Sequence, residues 1–210
     1  MSKSRTRSCA CVILVNGRGY MGDKKGLTKI AGRPMIEYVL DSVPDEVTEL
    51  FVSVENETQA AAYEPICEKY FASVMKMEKT QYPNESEKVR EVLGNTPGSN
   101  ILILPCDMPC LTLEFTQFLL EASKKFTAVL PRMLDNNVNF SLASYQVEPF
   151  IEAFKKYPET QMPELIKKLR NVLYMSTNSL RMFDNKLSIL YRVSSVADIP
   201  KVENVLRNKL

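Results

Sequence analysis

The chain has 210 residues, of which 45% are hydrophobic and 25% charged, and a formal net charge of +2. That length supports one large domain with a full core, and the near-neutral charge gives no electrostatic reason to expect nucleic acid or a membrane surface as main partner. Histidine is absent, so no Ser-His-Asp triad, Cys-His dyad or histidine metal site can be built from this chain.

The opening "MSKSRTRS" is basic, but the apolar run behind it is too short for a signal peptide. No run approaches the roughly 20 apolar residues of a membrane-spanning helix, so a cytoplasmic location is expected. The five cysteines fall as C-x-C (Cys9, Cys11), a lone Cys67 and C-x₃-C (Cys106, Cys110). Zinc and redox motifs use C-x₂-C pairs, so these cysteines read as small buried residues.

In chain order, "ACVILV" (10–15) reads as a buried strand and is followed by a Gly-rich, basic loop. "PMIEYVLDSV" (34–43) places Met35, Ile36, Val39, Leu40 and Val43 on one helical face, with Pro34 at its start. "ELFVSVE" (49–55) predicts a strand and "TQAAAYEPICEKYF" (58–71) a helix with a kink at Pro65. "ASVMKM" (72–77) is a weak third strand, and "NESEKVREVLGN" (84–95) a helix capped by Asn84 and stopped by Gly94. "NILILP" (100–105) is a continuous apolar run, hence a central strand, after which Thr112 opens a helix with Phe115, Leu119 and Ala122 inward.

The second half is less regular. Strands are expected at 127–132, 140–146, 171–175 and 188–193, and helices at 148–157, at 162–170 and at the end of the chain. Buried strands alternating with helices through short loops indicate an α/β fold, a mostly parallel sheet with helices on both faces. No linker divides it, so residues 1–210 read as a single domain, with a nucleotide-binding half (about 8–110) and an acceptor half (about 111–210).

Ligands of open α/β sheets bind beyond the carboxyl ends of the strands, near the point where strand order reverses. Two loops suit that rule. "VNGRGYMGDKKGLTKIAGRP" (15–34) concentrates Gly17, Gly19, Gly22, Gly26 and Gly32 with Arg18, Lys24, Lys25, Lys29 and Arg33, a composition suited to phosphate. Gly17, Gly19 and Gly22 match G-x-G-x-x-G, but no helix opens at once, and the G-K-[ST] of a Walker loop is missing. "PCDMP" (105–109) holds Asp107 between two prolines, with the oxygen ligand type that Mg²⁺ prefers.

Taken together, "LVNGRGYMGDKKGLTKIAGRPMIEYVLDSV" and "LILPCDMPCLT" resemble the two signatures of the nucleotidyltransferases related to molybdenum cofactor guanylyltransferase. The residues from "FSLASYQVEPF" to "NVLYM" look like that family's substrate-side half. The resemblance implies a three-layer, Rossmann-like nucleotidyltransferase fold. It also implies transfer of GMP from GTP to a phosphorylated, molybdopterin-type precursor with release of pyrophosphate. On that resemblance Asn16, Gly17, Arg18 and Gly19 line the triphosphate, Lys25 stabilises charge on the α-phosphate, Asn56 lies where the base is read, and Asp107 holds Mg²⁺.

Lys24 and Lys29 read as solvated charges, and turn chemistry explains an Asn at 56 equally well. Departures from the family pattern are Asn16 for the first of two adjacent glycines, Tyr20 for an Arg before Met-Gly, an acidic "NESEK" segment, and Arg192-Val193-Ser194 in place of a late Asn-x-Asn. They leave open an adenosylcobinamide-phosphate guanylyltransferase, a nucleotide-binding homologue without catalysis, and a sugar-1-phosphate nucleotidyltransferase.

Overall fold

In β1 (Cys9–Leu14) all six side chains are buried, which a strand in a half-exposed sheet cannot achieve. Its side chains alternate between two separate cores. Cys9, Cys11 and Ile13 join the core on one face, while Ala10, Val12 and Leu14 join the core on the other. Each buried aliphatic side chain contributes about 1.5–3 kcal/mol of transfer free energy, so a strand apolar on both sides is stable only with both faces covered. The computed structural model describes residues 8–15, 22–77 and 84–208.

After β1, a 3-10 turn (Gly22–Leu27) leads to a small hairpin of β2 (Lys29–Ile30) and β3 (Arg33–Pro34), and then to α1 (Met35–Leu40). β4 (Glu49–Val54), α2 (Glu57–Lys69), β5 (Ser73–Lys76), α3 (Glu85–Asn95) and β6 (Asn100–Pro105) complete the first half. The second half runs α4 (Leu113–Ser123), β7 (Ala128–Pro131), β8 (Ala143–Gln146), α5 (Val147–Lys156), α6 (Met162–Lys168), β9 (Val172–Met175), α7 (Thr177–Leu180) and α8 (Ile199–Arg207).

The main sheet has seven strands in the order β5-β4-β1-β6-β8-β7-β9. β5, β4, β1 and β6 are parallel, β8 runs against both its neighbours, and β9 is parallel to β7. The chain moves outward from β1 to β4 and β5, then returns to the other side of β1 as β6, so strand order reverses between β1 and β6. α1, α2 and α4 supply Ile36, Val39, Tyr63, Phe115 and Leu119 to one core. α3, α5 and α6 supply Val89, Val92, Phe150 and Leu165 to the other. Among the described residues, no helix is long and apolar enough to cross a membrane.

Most elements lie where the pattern places them. Asn84 and Thr112 cap their helices, and all five cysteines are buried and outside any disulfide. As expected, one helix, α2, contains Pro65. Two expectations change. The helix begun at Met35 stops at Leu40. Residues 188–193 form no strand: Ser188–Leu190 is a 3-10 turn entered through Leu187 in the left-handed region (φ 56). Apolar content resembled a strand there because this segment is buried by tertiary packing, with Ile189 and Leu190 in the first core and Val193 in a third.

That third, small core has a particular use. Ile30, Met35, Cys110, Val193 and Val202 meet in it, with Tyr191 and Ile199 packed against them. It fastens the β2–β3 hairpin, the turn after β6 and the segment before α8 to one another at a single edge of the sheet.

Candidate active site

Lys25 and Asp107 stand 82 residues apart in sequence and meet at this edge, Lys25 Nζ donating to Asp107 Oδ2 at 2.5 Å. Lys25 follows β1 and Asp107 follows β6, so the contact spans the reversal point of the sheet. Both are nearly inaccessible, with side-chain exposures of 8% and 1%. Lys24 and Lys29, by contrast, are exposed, in keeping with their reading as solvated charges.

Gly26 explains how a buried lysine is held there. Its N–H donates to the Tyr63 hydroxyl at 2.9 Å, and a Cβ at this position would lie 2.9 Å from that same oxygen. Only glycine lets the backbone pass this close to α2 without displacing the fully buried Tyr63. The turn carrying Lys25 is thereby pinned against the first core.

Arg192 closes the other side of Asp107. Its Nε lies 3.0 Å from each Asp107 oxygen, while Nη1 and Nη2 reach Glu85 Oε2 at 3.2 Å and Oε1 at 2.5 Å. Burial by itself would lower the guanidinium's affinity for its proton, but the Asp107 and Glu85 carboxylates outweigh it and raise the pKa further. Val193 N–H donates to the Asp107 carbonyl at 2.8 Å, so backbone as well as side chain ties the two segments. Among the described residues, two cations and two carboxylates thus meet in one cluster, buried at Lys25 and Asp107 and partly exposed at Arg192 and Glu85.

Asp107 was expected to hold Mg²⁺. The donor set around it does not suit a divalent ion: both its oxygens already accept from cationic donors, and so do both oxygens of Glu85. Mg²⁺ requires near-octahedral oxygen ligation and would sit against two positive charges. Among the described residues, no group of three or more His, Cys, Asp or Glu side chains is arranged to hold a metal.

Asn56 lies at the end of β4, one strand from β1, and its Oδ1 accepts from Gln59 N–H at 2.8 Å as the N-cap of α2. Local helix capping therefore accounts for it. Asn16, Gly17, Arg18 and Gly19, with Tyr20, lie outside the described residues. Two contributors were missed by sequence reasoning. Glu85 reads as an ordinary acidic residue after a helix cap, and Tyr63 as a core aromatic. Only the "NESEK" departure hinted at Glu85.

A family model described as the MobA-like NTP transferase domain matches residues 11–172. A probable molybdenum cofactor guanylyltransferase of Methanosarcina acetivorans is 23% identical over 206 residues, 95% of this chain and 92% of that protein. The molybdenum cofactor guanylyltransferase of Shewanella sp. MR-4 is 30% identical, over 57% of this chain and 58% of its own. Among solved structures, the molybdopterin-guanine dinucleotide biosynthesis protein A of Archaeoglobus fulgidus superposes with a TM-score of 0.71 at 20% identity, over 95% of this chain and 99% of that one. A 4-diphosphocytidyl-2C-methyl-D-erythritol synthase of Anaerococcus prevotii gives 0.69 at 14% identity, covering 96% and 99%. With the matched region running from β1 into β9 and including both Lys25 and Asp107, the chain belongs to the MobA-like NTP transferase domain family of nucleotidyltransferases.

Proposed function

We propose that this chain is a guanylyltransferase that moves GMP from GTP onto the terminal phosphate of a molybdopterin-type precursor. The Lys25–Asp107 contact carries this reading, because it joins the two signature loops at the sheet's reversal point. In the reaction an oxygen of the acceptor phosphate bonds to the α-phosphorus of GTP, the bond from that phosphorus to the bridging oxygen of the β-phosphate breaks, and pyrophosphate leaves. The acceptor oxygen is already ionised at neutral pH, so the absence of histidine costs the reaction nothing. What the protein supplies is position and positive charge, which carry most of phosphoryl-type transfer. Lys25 is suited to the charge that builds on the α-phosphate, and Asp107 orients Lys25.

The test is incubation of the full chain with GTP and molybdopterin, following pyrophosphate release and the mass of the guanylylated product. Product formation by the wild type, reduced at least about a hundredfold in Lys25→Ala, is expected. No product with GTP, ATP, CTP or UTP sinks the reading. A second reading, a homologue that binds nucleotide without transferring it, is favoured by one observation, the engagement of Asp107 by Arg192. Nucleotide binding without turnover distinguishes it. Adenosylcobinamide phosphate, offered as the acceptor in a parallel reaction, separates the rival substrate.

A further inference from the structure

The geometry points to Arg192 as a built-in cation that takes the place of a divalent metal between Asp107 and Glu85. A metal at such a site would be held by carboxylate oxygens from two segments. Here the guanidinium makes those contacts itself, Nε to both Asp107 oxygens and the two terminal nitrogens to the two Glu85 oxygens. Arginine suits this use because its planar fork bonds two carboxylates at fixed angles and keeps its charge in a buried setting.

Among the described residues, Lys25 and Arg192 each pair with a carboxylate of this cluster. A further double positive charge would face two cations at contact distance. Nor is Arg192 a loose surface side chain. On one side of it Val193 is buried in the third core and bonded to the Asp107 backbone. Just beyond, Asp198 accepts from Ser194 N–H, Ser195 N–H and Ser195 Oγ at 2.9, 2.8 and 3.1 Å, fixing the turn into α8. The segment is built to deliver this guanidinium.

The consequence is that the chain binds nucleoside triphosphate with Lys25 and Arg192 as its cations and with no metal anchored at Asp107. That consequence rests on the nucleotidyltransferase reading, whereas the occupancy of the carboxylates does not. Mn²⁺ alone is titrated into the full chain, following the paramagnetic resonance of free Mn²⁺, for wild type, Arg192→Asn, Arg192→Asn/Asp107→Asn and Asp107→Asn. Expected is no Asp107-dependent Mn²⁺ site in the wild type. A new site should appear in Arg192→Asn, at least about tenfold weaker in the double variant. Calorimetry with GTP should give the same affinity in EDTA and in Mg²⁺.

Wild-type Mn²⁺ binding that Asp107→Asn abolishes overturns the inference, and so does a folded Arg192→Asn that still takes no Mn²⁺. Glu85→Gln, altering a partly exposed carboxylate of the same pair, replaces Asp107→Asn should that variant not fold. If Arg192→Asn does not fold, the wild-type comparison decides alone. GTP that fails to bind under either condition defeats the nucleotidyltransferase reading and leaves the Mn²⁺ result standing.

Discussion

Two clusters of opposite charges sit on this fold and differ in almost everything but composition. At the sheet edge, the contacts joining Lys25, Asp107, Arg192 and Glu85 link residues 82 to 107 apart in sequence and surround a carboxylate that is 1% exposed. Beside α1, Arg33 and Lys69 hold Glu37, with Asp41 and Tyr70 alongside. Arg33, Lys69 and Asp41 are each at least 40% exposed there. Water screens the second cluster and cannot reach the centre of the first, so equal contact lists carry unequal energies.

The largest expected break is therefore Asp107→Ala. It leaves Lys25 buried without its carboxylate and should cost about 3–5 kcal/mol, read as a lowered urea midpoint. A midpoint unchanged from wild type would show that the buried cluster behaves like a surface one. Next comes Gly26→Ala, whose methyl meets the Tyr63 hydroxyl oxygen at 2.9 Å inside a side chain with no exposure. Overpacking of this kind costs about 1–3 kcal/mol. Tyr63→Phe removes the clashing oxygen, so the same glycine substitution should cost clearly less in that background, and equal costs would refute the contact.

The Glu37 cluster should yield smaller, pH-dependent effects. Burial alone would raise the Glu37 pKa, but hydrogen bonds from Lys69 and Arg33 lower it below its ordinary value of 4.5. A carboxylate depressed in the folded state adds stability that is present above its unfolded pKa and is lost as pH falls through the folded one. Glu37→Gln should thus destabilise by about 1–2 kcal/mol at neutral pH, and the difference from wild type should shrink below pH 4.5. A difference constant down to strongly acidic pH contradicts the ion-pair account. Smallest of all is Lys167→Ala, removing an exposed pair with Glu164, for which thermal melts should shift by no more than the equivalent of about 0.5 kcal/mol.

Much of the fold was legible because its signals are local. Asn84 and Thr112 announce helix starts through their own side chains, and "NILILP" needs a sheet buried on both faces whatever its neighbours are. Where the signal was not local the reading slipped: residues 188–193 looked like a strand because buried apolar residues look alike in any backbone conformation. The reversed direction of β8 likewise has no mark in its own residues.

The candidate site divides in the same way. The sequence by itself singled out two loops, since glycines, lysines and a proline-flanked aspartate after apolar strands are a local composition with a chemical meaning. It singled out Lys25 and Asp107 within them, two side chains that the fold brings into contact. Only the tertiary structure decided that Arg192 and Glu85 join them, because a third core brings residues 191–193 against the turn after β6 from far along the chain. Ion pairing in a buried site depends on distance and on the exclusion of water, and neither quantity is written in the order of residues.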